Sequence, residues 1–205
     1  MKSRKPIFYI IFFAILVVGF FLALSAVIPG FSKVTIPPIG QVQPFVFENQ
    51  DGQPVTEKDI AGKVVAVEYF FTTCKGICPK MNRNLRVVYD EFKDQPGFMI
   101  LSHTSDPATD SAARLKRYAD SMGVNTRQWV FLTGRKDSLY NLARHAYKID
   151  DPRNDVSNVE DDFLHTQFIA LVNRQGNVVK IYDGLKPSEM KELSREIKKL
   201  LEQQS

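Results

Sequence analysis

The chain has no internal repeat, no low-complexity tract and almost no charge bias. Its formal net charge is +4, but Lys2, Arg4 and Lys5 supply three of those charges and crowd the extreme N-terminus. Setting them aside leaves 24 basic residues against 23 acidic ones, no electrostatic footprint for nucleic acid. Thiols are scarce too, since Cys74 and Cys78 are the only two cysteines in 205 residues. Neither lies near the end of the first apolar run, so lipoprotein processing has no acceptor there. A single bridge between residues so close together would close a short loop and restrict little unfolded-chain entropy, which makes a purely structural disulfide a poor staple.

From Ile7 to Ile28 no charged residue occurs at all. At about 1.5 Å of rise per residue, this run covers a hydrocarbon core roughly 30 Å thick. With basic residues only before it, the positive-inside rule puts the N-terminus in the cytoplasm and the rest of the chain outside it. Ala23 and Ser25 resemble a small-residue cleavage site, but the run is longer than a signal peptide's usual core, and an uncleaved anchor is the better reading. Residues 1–30 are thus read as a membrane anchor on the inner membrane. Residues 31–42, with Pro37, Pro38 and Gly40, form a linker, and residues 43–205 a single domain on the extracytoplasmic side. In that oxidising compartment thiols pair, bind metal or turn over.

The domain reads as alternating strands and helices. Phe45–Phe47 and Val55 flank an Asp-Gly turn, a short hairpin. VVAVEYFF at 64–71 is a strand buried on both faces. After it, Met81, Leu85, Val88 and Phe92 recur at helical spacing. A strand over Phe98–Leu101, a helix over Asp110–Met122, a strand over Trp129–Leu132 and a helix over Asp137–Tyr147 follow. FIALVN and VVKIYD then make a hairpin, and Pro187–Leu201 a final amphipathic helix. This order defines an α/β domain with a mixed sheet.

Both cysteines fall in FFTTCKGICPKMN, residues 70–82, at the exit of the buried strand. Proline is tolerated in a first helical turn, so the helix is expected to begin with Cys78 as its N-cap and Pro79 at its first position. Both sulfurs then sit near a helix N-terminus, which with Lys75 favours thiolates. Three intervening residues allow either a disulfide or two ligands on one ion, and Cys-x-x-x-Cys is not the Cys-x-x-Cys of redox enzymes. Three histidines are candidates to complete a metal site. His145 sits inside the helical stretch LARHAY, where packing or surface exposure is the default. His103 follows a strand whose end would share the cysteine rim. His165 enters FIALVN after an acidic segment, residues 150–162, which is either a solvated loop or a lid or docking surface. Strand ends form the usual crevice of such sheets, so His165 can face the cysteines.

The anchor, FFTTCKGICPKMN, TSDPATD and the histidine of FLHTQFIALVNRQGNVV together resemble the Sco/SenC family of membrane-tethered copper proteins. The resemblance covers about residues 40–200. It implies a thioredoxin-like fold, copper as Cu(I) and Cu(II) held by Cys74, Cys78 and His165, and help in building the copper centre of cytochrome c oxidase. The copper-site subunit of that enzyme is the implied partner, together with a copper donor or a thioredoxin-like reductant. Three departures touch the partner surface and fine tuning: Lys75, Gly76 and Ile77 bring no acid between the cysteines, Asp106-Pro107-Ala108-Thr109-Asp110 lacks an arginine, and Leu164 replaces the histidine's acidic neighbour. Thiolates and imidazole suit copper, with zinc as the rival metal. The competing reading is a thiol-disulfide oxidoreductase in which Cys74 attacks and Cys78 resolves. No Pro-x-x-x-Thr-x-x-Cys pattern precedes Cys74, which argues against a peroxidase.

Overall fold

The computed structural model describes residues 5–28, 37–154 and 163–203. The chain divides into a unit ending at Pro37 and a second from Pro38 onward. The first contains helix α1, Lys5–Val27, within which Ile7–Val27 is long and apolar enough to cross a membrane, with mean hydropathy 3.0.

The second unit is built on one sheet of eight strands: β1 (Gly40–Gln41), β2 (Val46–Asn49), β3 (Pro54–Thr56), β4 (Val64–Phe70), β5 (Phe98–Thr104), β6 (Trp129–Thr133), β7 (Phe168–Val172) and β8 (Asn177–Asp183). Their order across the sheet is β1-β8-β7-β4-β5-β6-β2-β3. β4, β5 and β6 run parallel, and every other pairing is antiparallel. The helices are α2 (Ile77–Phe92), α3 (Ala112–Met122), α4 (Lys136–Asn141), which continues as a π-helical turn over Leu142–Ala146, and α5 (Pro187–Glu202).

All seven residues of β4 are buried, as its apolar composition requires of a strand covered on both faces. Alternation sends Val65, Val67 and Tyr69 into one core with Phe45, Phe47, Leu139 and Tyr147. Val64, Ala66 and Phe70 go into the other, against Met81, Leu85 and Val88 of α2, Leu115 of α3 and Leu193 of α5. Each such side chain contributes about 1.5–3 kcal/mol by leaving water.

Among the boundaries that differ from the sequence reading, two have a clear physical reason. Gly40 and Gln41, read as linker, pair with β8, because an extended backbone beside an open strand edge completes hydrogen bonds that propensity does not foretell. Helix α2 begins at Ile77 with Gly76 as its N-cap, so Cys78 and Pro79 occupy its second and third positions. Proline fits there as well, because none of the first N–H groups of a helix has an intrahelical partner.

Gly184, just after β8, leaves no room for a side chain. A Cβ there would lie 2.6 Å from Met81 Cγ and 3.0 Å from the Gln167 carbonyl oxygen. Gly184→Ala is therefore expected to destabilise the domain by about 1–3 kcal/mol, the usual cost of overpacking a filled core. A urea titration showing an unchanged midpoint would contradict this close packing.

Candidate metal centre

The carboxyl end of β4 and the start of its antiparallel neighbour β7 lie at the same rim, since Val65 is level with Val172 and Val67 with Ala170. The cysteine loop leaves this rim from β4, and His165 stands just before β7. Cys74 is half-buried, Cys78 is buried, and both thiols are free. Cys74 N–H donates to the Phe71 carbonyl (3.2 Å), and Cys78 N–H donates to Cys74 Sγ at 3.4 Å. Cys74 thus takes the capping role that Gly76, with no side chain, cannot perform.

The two thiols differ electrostatically. Burial pushes Cys74 up, but hydrogen bonds from the Cys78 thiol and from the backbone N–H groups of Cys78, Gly76 and Ile77 outweigh it, and the net shift is downward. Burial, and then the Cys74 sulfur beside it, push Cys78 up to about 12. A half-buried thiol whose pKa is lowered therefore stands over a buried one whose pKa is raised.

The loop is held from below by TSDPATD. Asp110, fully buried, accepts Thr72 N–H at 3.0 Å and the Thr104 hydroxyl at 2.7 Å. Arg114 Nε donates to Thr72 Oγ1 at 2.6 Å. A single carboxylate thus ties the segment two residues before Cys74 to the end of β5.

His165 is exposed, but its neighbours are not. Leu164 enters the core, and the Thr166 hydroxyl donates to the Ile149 carbonyl at 2.8 Å, so the segment is pinned with the imidazole outward. The ring lies 6.2 Å from Phe71, which in turn meets Phe163 edge-on at 5.1 Å. His165 and Ile77, the residue before Cys78, line one open cavity of about 810 Å³. Among the described residues no three of His, Cys, Asp and Glu are gathered as a ready metal cage.

The other histidines stand apart. His145 is exposed on the π-helical turn. His103 is paired in register with Tyr69 and stacks on it at 4.9 Å, with Phe45, Phe47 and Tyr147 around it. It therefore belongs to the core opposite the cysteines. Both its nitrogens are buried with no hydrogen-bond partner among the described residues, and burial lowers its pKa to about 3. Of the acidic segment, Asp150 pairs with Arg144 (2.8 Å) and Asp151 with Arg153, while residues 155–162 lie outside the described residues.

Sequence reasoning missed Glu68. It is fully buried in β4 on the cysteine face, and burial raises its pKa to about 8. The Ser102 hydroxyl donates to it at 2.6 Å, and Trp129 Nε1 donates to Ser102 Oγ at 2.8 Å. The Asn82 amide, turned so that its nitrogen donates to both Glu68 oxygens (2.9 and 3.0 Å), accepts the Tyr118 hydroxyl at 2.7 Å. The available signal was one carboxylate amid the apolar run VVAVEYFF.

A mixed sheet with a dithiol loop between its central strand and the following helix defines a thioredoxin-like dithiol protein. Within that class the chain belongs to the SCO1/SenC family, whose model matches residues 37–202. The SCO1 protein homolog of Bacillus subtilis is 29% identical over 173 residues, covering 82% of this chain and 87% of that one. Among solved structures, BsSco, a member of the Sco family of cytochrome c oxidase assembly proteins, superposes with a TM-score of 0.69 at 27% identity, over 82% of this chain and 98% of that one. Yeast Sco1 with copper bound gives 0.58 at 26% identity, over 80% and 95%.

Proposed function

We propose that this chain is a membrane-tethered copper protein that serves cytochrome c oxidase assembly, with Cys74, Cys78 and His165 as its copper ligands. The observation that carries this is the pair of free thiols at the head of α2, on the same rim as an outward imidazole. Helix α1 anchors it in the cytoplasmic membrane with the domain on the extracytoplasmic side. The two sulfurs suit Cu(I), and the imidazole extends the set to Cu(II). His165 closes on the ion from a loop, which leaves an open position where a recipient thiolate enters. Anaerobic titration of the reduced, detergent-solubilised chain with Cu(I) is expected to end at one ion per chain.

A second reading, as a thiol-disulfide oxidoreductase, is supported by the inequality of the two thiols. Cys74 thiolate would attack a partner disulfide and release one partner thiol. Cys78 thiolate would then attack Cys74 Sγ, releasing the second thiol and leaving a Cys74–Cys78 disulfide for a thioredoxin-like reductant. Both readings meet in one prediction: oxidation and copper loading exclude each other, because the disulfide uses the sulfur electrons that bind metal. Air-oxidised chain is expected to bind far less copper than reduced chain, and equal stoichiometry in both states would reject the thiol ligands.

A further inference from the structure

The cysteine mouth is bordered on one side by cations that no described residue neutralises. Three hydrogen bonds fix how α2 and α3 lie together: Asn82 meets Tyr118, Arg86 reaches the Met122 carbonyl, and Asn125 N–H reaches the Tyr89 hydroxyl, each pair 36 residues apart. A constant offset of this kind means that the two helices run parallel, with both N-termini at the cysteine rim. The same offset sets Arg114 level with Cys78, and Arg114 does reach Thr72 beside the cysteine loop.

In the cysteine loop and the first two turns of α2 and α3, Lys75, Lys80, Arg83 and Arg117 are exposed. None of the four has an ion pair among the described residues, whereas Arg114 pairs with Asp110 at 3.5 Å. Nearby acids among the described residues are otherwise engaged: Asp90 with Arg86, Asp120 with Lys116, and Asp183 and Glu189 with Lys186. Among the described acids at the mouth, Asp106 is left, half-buried. Two helix N-termini add their partial positive charge in the same direction. Across the opening the surface changes character, to the exposed Phe163 and Phe168.

Resting on the copper-exchange reading, we propose that the Lys75–Lys80–Arg83–Arg117 rim is a docking surface for an acidic protein segment that carries the metal-accepting cysteines. The site itself selects this occupant over an anionic membrane. Exchange of a thiolate-bound ion needs soft donors brought within bonding distance of the mouth that these cations border, and phosphate headgroups offer only hard oxygen. A carboxylate-rich stretch beside the accepting thiols would be drawn to that position and held in register.

The test uses the full chain in zwitterionic nanodiscs and three synthetic peptides. One carries Cys-x-x-x-Cys flanked by Asp and Glu, the second has Asn and Gln in their place, and the third is the acidic peptide with serine for cysteine. From the Cu(I)-loaded chain, the acidic dithiol peptide is expected to take copper at least about tenfold faster than its neutral isomer at low salt, with the advantage fading as salt rises. The serine peptide should bind the metal-free chain in a salt-sensitive way. A Lys80→Gln/Arg83→Gln/Arg117→Gln variant, which breaks no ion pair among the described residues, should abolish both preferences while retaining the parent's Cu(I) stoichiometry. Equal rates for the two dithiol peptides, or a variant that keeps the preference, overturns the proposal. So does loss of anionic-vesicle binding in the variant with peptide preference intact, which would assign the rim to lipid. If the parent binds no copper, the ligand reading fails by itself, and binding of the serine peptide still decides whether this surface recognises acidic chains.

Discussion

Replacing His165 with alanine is expected to separate the two oxidation states of copper. Cu(I) accepts two-coordinate thiolate ligation, so Cys74 and Cys78 retain it with a loss under about tenfold, or ~1.4 kcal/mol. Cu(II) favours four-coordinate sites with nitrogen or oxygen donors. Losing the imidazole should therefore cost more than the roughly 10–100-fold that disturbing a ligand's outer partner costs. Cys74→Ser and Cys78→Ser should weaken both ions, since each removes half of the soft donor set. The measurement is the thiolate-to-copper charge-transfer absorption with Cu(II), then competition with a chelator for Cu(I). An alanine variant matching the parent for both ions would remove His165 from the ligand set and leave the oxidoreductase reading ahead.

The second large effect is a stability maximum in mildly acidic solution, set by two buried groups of opposite sign. His103 has its pKa lowered from 6.5 to about 3 by burial, so the unfolded chain binds the extra proton between those values. Its contribution is complete above 6.5 and is lost as pH falls toward 3. Glu68 is the reverse case: burial raises it from 4.5 to about 8, opposed by the Ser102 hydrogen bond. Here the folded state holds the extra proton, so stability is complete below 4.5 and is lost as pH rises toward 8. Between 4.5 and 6.5 the two slopes cancel. Beyond either edge one slope acts alone over about 1.5 pH units, a loss of about 2 kcal/mol on each side. The exposed Asp151–Arg153 pair steepens the acid side only slightly. Urea unfolding of the reduced, copper-free chain can be followed by Trp129 fluorescence, because that indole is hydrogen-bonded into the Glu68 network. Glu68→Gln should flatten the alkaline side, and His103→Phe the acid side below 4.5. A parent whose stability is level from pH 6.5 to 8 would show that Glu68 does not fold protonated.

The strands and helices that could be read from the sequence were those whose burial pattern is one-dimensional. β4 is apolar throughout, and α2 repeats its buried residues every three or four positions, so composition and spacing sufficed. β1 could not be read, because two residues of extended backbone gain their place only by pairing with β8. At the site, the cysteines were legible from their spacing and the strand before them. The position of His165 depended on β7 running antiparallel to β4, and the resemblance rather than periodicity pointed to it. His103 was ambiguous for a geometric reason. One residue earlier on β5, Ser102 faces Glu68 and the cysteine side, so a shift of one position decides which core a side chain enters. Glu68 escaped notice because its partners Ser102 and Asn82, and Trp129 behind Ser102, come from three other elements.

The antiparallel seam between β4 and β7 also has a history in time. Strand β4 and the cysteines are made early, while β7 and His165 follow about 90 residues later. At elongation rates of about 5–20 residues per second, the newborn chain carries its thiols without the imidazole proposed to join them for on the order of 5–20 s. Throughout that interval β4 has an unpaired edge, and closing it requires a contact distant in sequence, the slow kind to form. On the proposed extracytoplasmic side, the cysteines would meet oxidants before His165 is in place, and fast closure by β7 or a reducing partner at hand would shorten that exposure.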